Sequence, residues 1–346
     1  MDGFGHPTVV TTARYLPITH IGGTWQVNFA DGPGRLSDRA TAYPLLRMGR
    51  HTGQDEVVQH ALAINKHTAG DGSMVRRLAS VGRLVGLLLD TPRPTEGTAY
   101  PYPADGFYPK TEVLTARQTP GSATGLYLAV KGGHNSESHN HNDVGSFVVA
   151  LDGRPMVVDI GVGTYTRQTF SADRYSIFTM HSDFHNVPQV NGCSQPPGRE
   201  FATRGLAAAI STESAECRMD LVDAYPATAG LQHWQREARL DRNASAAVTV
   251  TDTWSLTSTP SSLVWHLIVH EDVEVAGDRV LVGDPRTRRL VISTDPVLTV
   301  EVEQIDLTDV RLTDVWGPTL HRLVLTANPS PLSPSGMLRT TFVAEV

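Results

Sequence analysis

Apolar positions recur along this chain at two different periods, and the change falls near residue 110. Before it, the spacing predicts helices. In "LSDRATAYPLLRMGRH" Ser37 or Asp38 can cap a helix, with Pro44 in its first turn or at a break. "QDEVVQHALAINKH" puts Val57, Ala61 and Ile64 on one stripe. "SMVRRLASVGRLVGLLLD" puts Met74, Leu78, Val81, Leu84, Val85 and Leu88 on another, capped by Ser73. Short connections between these segments predict paired antiparallel helices.

A break follows. Five prolines fall between Pro92 and Pro109, which makes helix costly there and predicts a linker. From residue 111 the period becomes two. "GLYLAVKGG" alternates, and "SFVVALDGRPMVVDIG" is two apolar runs around Asp152-Gly153, a two-residue hairpin signal. "AAVTVTDTWSL", "SLVWHLIVH", "RRLVISTD", "HRLVLTA" and "RTTFVAEV" continue the strand pattern to the end. The expected architecture is α+β and multidomain. Helices occupy 1–91, a proline-rich linker 92–110, and a large antiparallel β-sandwich 111–346.

Composition narrows the function. The formal net charge of −7 argues against a broad nucleic-acid surface, though a local arginine cluster can still bind an anion. The two cysteines, Cys193 and Cys217, cannot build a disulfide framework. No apolar run reaches the length of a membrane span. "MDGFGHPTVV" lacks the basic and apolar regions of a signal peptide. As written the chain is expected in the cytoplasm, unless it does not begin where its ancestor began.

The chemistry concentrates in "SHNHNDVGSF". In an extended segment His139 and His141 face one side, and Asn140 and Asn142 the other. Asp159 closes the hairpin's second run, and His185 follows in "HSDFHNVPQVNG". Two histidines and a carboxylate make a zinc set with a fourth position for water or another ligand; they also make an ordinary buried polar cluster. A turn at Asp152-Gly153 pairs Leu151 with Arg154 and Ser146 with Asp159. His141 is then roughly 16 Å from Asp159 along a straight strand, so the chain must bend, most simply at Gly145. "HNHND" lacks the final histidine of the H-x-H-x-D-H zinc hydrolase signature, where Val144 stands instead. "SLVWHLIVH" reads as a core strand with His266 on the polar edge; Trp25, Trp234 and Trp254 read as core packing rather than sugar platforms.

Taken in order, "SHNHNDVGSFVVALDGRPMVVDIGVGTYT" and "RYSIFTMHSDFHNVPQVNG" resemble the heparinase II/III-like polysaccharide lyases, a group that includes heparinases II and III and oligoalginate lyases. "WQVNFADGPGRL" resembles the end of that family's helical toroid. The resemblance implies an incomplete α/α toroid followed by a β-sandwich. It implies β-elimination on a uronate: a base removes the C5 proton, an acid protonates the leaving O4, and the carboxylate is neutralised to acidify C5.

Carried over by position, it implies that His141, Asp159 and His185 hold one mainly structural zinc. It implies that His139 and Tyr175 are catalytic, and that Asn140, Tyr165 and Arg174 meet substrate, with Arg167 a competitor for its carboxylate. The implied partners are an acidic polysaccharide or oligosaccharide and a second copy in a homodimer, with no nucleic acid and no membrane. Family members are often periplasmic or secreted.

One departure matters. The family's proton-transfer tyrosine and carboxylate-neutralising Asn or His lie in the toroid, before the segment like "VNFADG", and only 24 residues precede Trp25 here. Tyr15 and His20 are the early candidates of the right type, and both read as packing residues. The chain thus resembles the C-terminal two thirds of a lyase. The rival expectation is a non-catalytic, zinc-stabilised carbohydrate-binding sandwich.

Overall fold

In a computed structural model the described residues are 3–36, 42–67, 98–328 and 333–345. The Ser37, Asp38 and Ser73 caps, the stripe from Met74 to Leu88 and the first part of the proline-rich linker lie outside them.

The described helices are few and short. Ala42–Thr52 carries Pro44 in its first turn, where the missing N–H costs nothing. Asp55–His67 buries Val57, Ala61 and Ile64, the expected stripe, against Leu45 and Leu46 of its neighbour. Two shorter helices, Pro7–Ala13 and Tyr15–Thr19, precede them.

Two large antiparallel sheets make most of the rest, beside two two-stranded ribbons and the helix Val310–Trp316. The nine-stranded sheet runs through Leu298–Asp306, Thr319–Ala327, Leu263–Val269, Arg154–Val157, Phe147–Leu151, Leu126–Lys131, Val113–Arg117 and Asp105–Tyr108, with Pro188–Val190 added on Leu263–Val269. The eight-stranded sheet runs through Arg204–Ile210, Ser214–Asp220, Leu231–Asp241, Ala247–Leu256, Ser335–Ala344, Leu290–Ser293, Arg279–Val282 and Val273–Ala276. Their inner faces share one core, in which Leu128, Phe147 and Val149 of the first meet Trp234, Val248 and Phe342 of the second. Trp234, Trp254 and Trp265 pack ring on ring there, as expected of core residues.

Three details depart from the sequence expectation. Asp105–Tyr108 pairs with Val113–Arg117, so the sheet begins inside the expected linker. Tertiary pairing supplies what local propensity withheld, and Gly106 makes it feasible because a Cβ there would strike Ile18. His266 is not at a polar edge: its strand is flanked on both sides, and the ring is 5% exposed. The hairpin pairs Leu151 with Arg154 as expected, but a bulge then sets Val149 opposite Val157 and shifts everything beyond by one residue.

Candidate functional site

The site forms where three irregular segments leave the nine-stranded sheet side by side. The first is 138–146, just before the Phe147 strand. The second is 158–165, just after the Arg154–Val157 strand. The third is the run of 3-10 turns that ends at His185. Gly145 makes the expected bend, at φ +88, and a Cβ there would lie 2.8 Å from Leu221. His139 also sits in the left-handed region, at φ +60, a costly conformation for a residue with a side chain.

That turn separates the two histidines. They do not present one extended face as the spacing predicted: His141 is fully buried, while the His139 side chain is 59% exposed. The exposed and buried rings nonetheless converge on one carboxylate. His139 Nδ1 lies 2.7 Å from Asp31 Oδ2, and His141 Nε2 lies 3.1 Å from Asp31 Oδ1. Tyr165 donates its hydroxyl to Asp31 Oδ2 at 2.6 Å, and Arg174 Nη2 reaches Oδ1 at 3.5 Å. Burial alone would raise the Asp31 pKa, but the hydrogen bonds from His141, Tyr165 and His139 outweigh it and hold the group well below the usual carboxylate range.

Behind Asp31 the three candidate metal ligands meet. One ligand atom each from His141, Asp159 and His185 lies within 4.8 Å of the others, and all three residues are buried. The outer atom of each is satisfied. His141 Nε2 has Asp31, His185 Nε2 donates to the Thr179 carbonyl at 3.1 Å, and Asp159 Oδ1 accepts from Gly161 N at 2.8 Å. The remaining atoms, His141 Nδ1, His185 Nδ1 and Asp159 Oδ2, form no hydrogen bond of normal geometry, though His185 Nδ1 comes within 3.3 Å of Asp159 Oδ2. Buried polar atoms are rarely left so. Three converging lone pairs, each backed by a second partner, match the donor set and outer shell of a metal site. The sequence allowed either a metal set or a polar cluster; the orphaned atoms favour the first.

Two residues that the sequence reading passed over hold these segments in register. Asn186 donates to the carbonyls of Phe147 and Val158, at 2.6 and 2.9 Å, and accepts from Ile268 N at 2.7 Å. Arg236 projects from the opposite sheet and donates to the carbonyls of Gly145 and Asn186, at 2.9 and 2.8 Å. Its other nitrogens pair with Asp252, which also accepts from Trp234 and Trp265. Lys131 is buried against Asp143, the acid of "HNHND". An arginine inside an alternating strand pattern, "QREARL", was the one available signal for Arg236.

The other predicted residues divide between scaffold and rim. Asn140 is buried, with Nδ2 3.4 Å from the Tyr175 hydroxyl oxygen. Arg174 gives Nε and Nη2 to the Asn140 carbonyl and Nη1 to that of Thr169. Arg167 is exposed, and Arg311 lies over the Tyr165 ring at 4.9 Å. Tyr15 packs edge-on against Tyr108, and buried His20 packs among His60, Tyr100 and Tyr102. A pocket of about 380 Å³ is lined by Asn28, Gly32, Arg35, Ile160, Arg311 and Trp316 among others.

A sequence profile described as heparinase II/III-like, C-terminal, matches residues 122–315, which takes in His139, His141, Asp159, Tyr175 and His185. The chain belongs to this family. Solved structures agree on the fold. A mutant of heparan sulfate lyase HepC from Pedobacter heparinus matches with TM-score 0.64 and 14% identity, covering 96% of this chain and 45% of that one. A crystal structure of heparinase III matches with TM-score 0.66 and 12% identity, covering 97% of this chain and 47% of that one. The chain thus spans less than half the length of these family structures, a smaller share than the two thirds expected. No match is found among curated proteins.

Proposed function

We propose that this chain carries the β-sandwich half of a polysaccharide lyase that cleaves a uronate-containing acidic glycan by β-elimination. The observation that carries the reading is His139, an exposed imidazole on a strained turn, with one nitrogen on an ionised carboxylate and the other facing out. An ionised Asp31 can only accept the hydrogen bond, so His139 Nδ1 keeps its proton and donates it to Oδ2 as N–H. That leaves a lone pair on Nε2, the atom that takes the C5 proton.

The two tyrosines differ in what they can offer. The Tyr165 hydroxyl proton is committed to Asp31, so Tyr165 anchors the wall. The Tyr175 oxygen accepts from Asn140, which leaves its proton for the departing O4. Arg174 is occupied by backbone carbonyls and orders this wall, so neutralising the uronate carboxylate falls to the exposed Arg167 and to Arg311 beside Tyr165. The partial α/α toroid read from residues 1–91 would complete the cleft from the helical side.

The residues fit a single zinc held by His141 Nδ1, His185 Nδ1 and Asp159 Oδ2. Bound there, it would fix the buried side of the wall, a structural role.

The test is incubation with heparan sulfate, alginate and other uronate glycans, read by the ultraviolet absorbance of the unsaturated product. The expected result is product formation that falls at least about 100-fold in His139→Ala, the scale of a lost general base. Glycan binding without product would support the rival binding-module reading, in keeping with a chain less than half the length of its structural relatives.

A further inference from the structure

Asp31 stands 108 to 143 residues before the four groups it meets, and its side chain is only 7% exposed. Two of those groups are imidazoles with different tasks, and a neutral imidazole has one N–H to place. Whichever nitrogen donates, the other carries the lone pair. In free solution the neutral ring favours its proton on Nε2, the wrong choice for a His139 base whose Nε2 faces the cleft. For His141 the geometry runs the other way: Nε2 must carry the proton so that Nδ1 can face Asp159 and His185.

We propose that Asp31 is a positioning residue that sets both tautomers at once, binding the cleft histidine His139 and the buried ligand His141 to one carboxylate. Oδ2 accepts a hydrogen bond from His139 Nδ1–H and Oδ1 one from His141 Nε2–H. Arg174 on Oδ1 and the Tyr165 hydroxyl on Oδ2 keep the carboxylate plane from rotating, so neither imidazole can exchange partners. Asp31 does not touch the reacting atoms. It ties the toroid-end segment "VNFADG" to the sandwich, with Asn28 of the same segment donating to the Asp159 carbonyl at 3.1 Å.

The zinc half of the proposal rests on the metal reading above; the His139 half does not. The first experiment is therefore the tautomer of His139 in the unmodified chain, by nitrogen–proton correlation spectra of ¹⁵N-histidine-labelled protein near pH 7.5, assigned with His139→Gln. A protonated Nδ1 is the expected result; an Nε2–H tautomer overturns the proposal without any variant of Asp31. The second compares Asp31→Asn with the unmodified chain by zinc titration against a competing chelator. Loss of a carboxylate behind a ligating histidine should weaken zinc by about 10- to 100-fold. The same variant should return His139 to a mixture of tautomers, which a merely structural defect would not do selectively.

His139→Gln should leave zinc affinity within about twofold, since it removes no partner of His141. Unchanged zinc affinity together with an unchanged His139 tautomer in Asp31→Asn would sink the proposal. If both shift as expected but no glycan is cleaved by the unmodified chain, Asp31 keeps its role and the lyase reading fails.

Discussion

At the scale of single residues, the site is a set of side chains whose outer atoms are satisfied so that their inner atoms can converge. His141, Asp159 and His185 each follow that rule, with Asp31, the Gly161 amide and the Thr179 carbonyl as the outer partners. Burial alone would raise the Asp159 pKa, but the charge attraction of His185, whose Nδ1 lies 3.3 Å away, outweighs it and lowers the pKa. The prediction at this scale is metal content. Elemental analysis should find about one zinc per purified chain, and His141→Ala should lose it along with thermal stability. A loss of even about 1 kcal/mol would lower the melting midpoint by roughly 2 °C in a chain of this size. Zinc absent from both proteins would leave the cluster a polar structural patch. The pattern H-N-H, then Asp, then H-N displayed the three candidate ligands and His139. Asp31 was not visible as a site residue, because no spacing rule links it to groups more than a hundred positions away.

At the scale of elements, the question is why three irregular segments hold still. The strands stop short of the site, and Arg236 and Asn186 take over where the ladder hydrogen bonds end. Arg236 and Asp252 form a buried ion pair, with side chains 1% and 3% exposed. Removing one partner strands the other charge in the core, which costs about 3–5 kcal/mol. Arg236→Met should therefore destabilise the protein by that order in chemical denaturation. It should also loosen the loops at Gly145 and Asn186, readable as faster amide exchange there. Stability equal to the unmodified chain would show that Asp252 finds other partners. The bend at Gly145 was legible from distance alone, since His141 could not otherwise approach Asp159. The one-residue bulge between Val149 and Ala150 was not, because a two-residue turn sets register only until the first irregularity.

At the scale of the whole molecule, the two sheets and the small helical body bury histidines that must stay neutral. His60 is fully buried and desolvation presses its pKa from 6.5 to about 2; burial presses that of His266 from 6.5 to about 4. The unfolded chain protonates both below about 6.5, while the folded chain resists until far lower pH. The unfolded state then binds more protons, and stability falls as pH drops from 6.5 toward 4. Melting curves across that window should show a falling midpoint, and His60→Phe should flatten part of the fall. A midpoint insensitive to pH over this range would mean these rings find proton acceptors on charging.

The sequence by itself determined that short helices come before large antiparallel sheets, because hydrophobic period is a local property that burial on one face imposes on each element separately. It pointed to the family through motifs that lie within or beside single strands and turns, and it offered His141, Asp159 and His185 as candidate ligands; that their side chains meet is a result of the fold. Only the tertiary structure decided that His139 faces solvent while His141 is buried, that Tyr165 and Tyr175 hold their protons differently, and that Asp31 and Arg236 organise the site. Each of these depends on a contact between segments distant in the chain. Such contacts are chosen by the packing of the sheets and of the segment preceding them, and no periodicity along the chain records them.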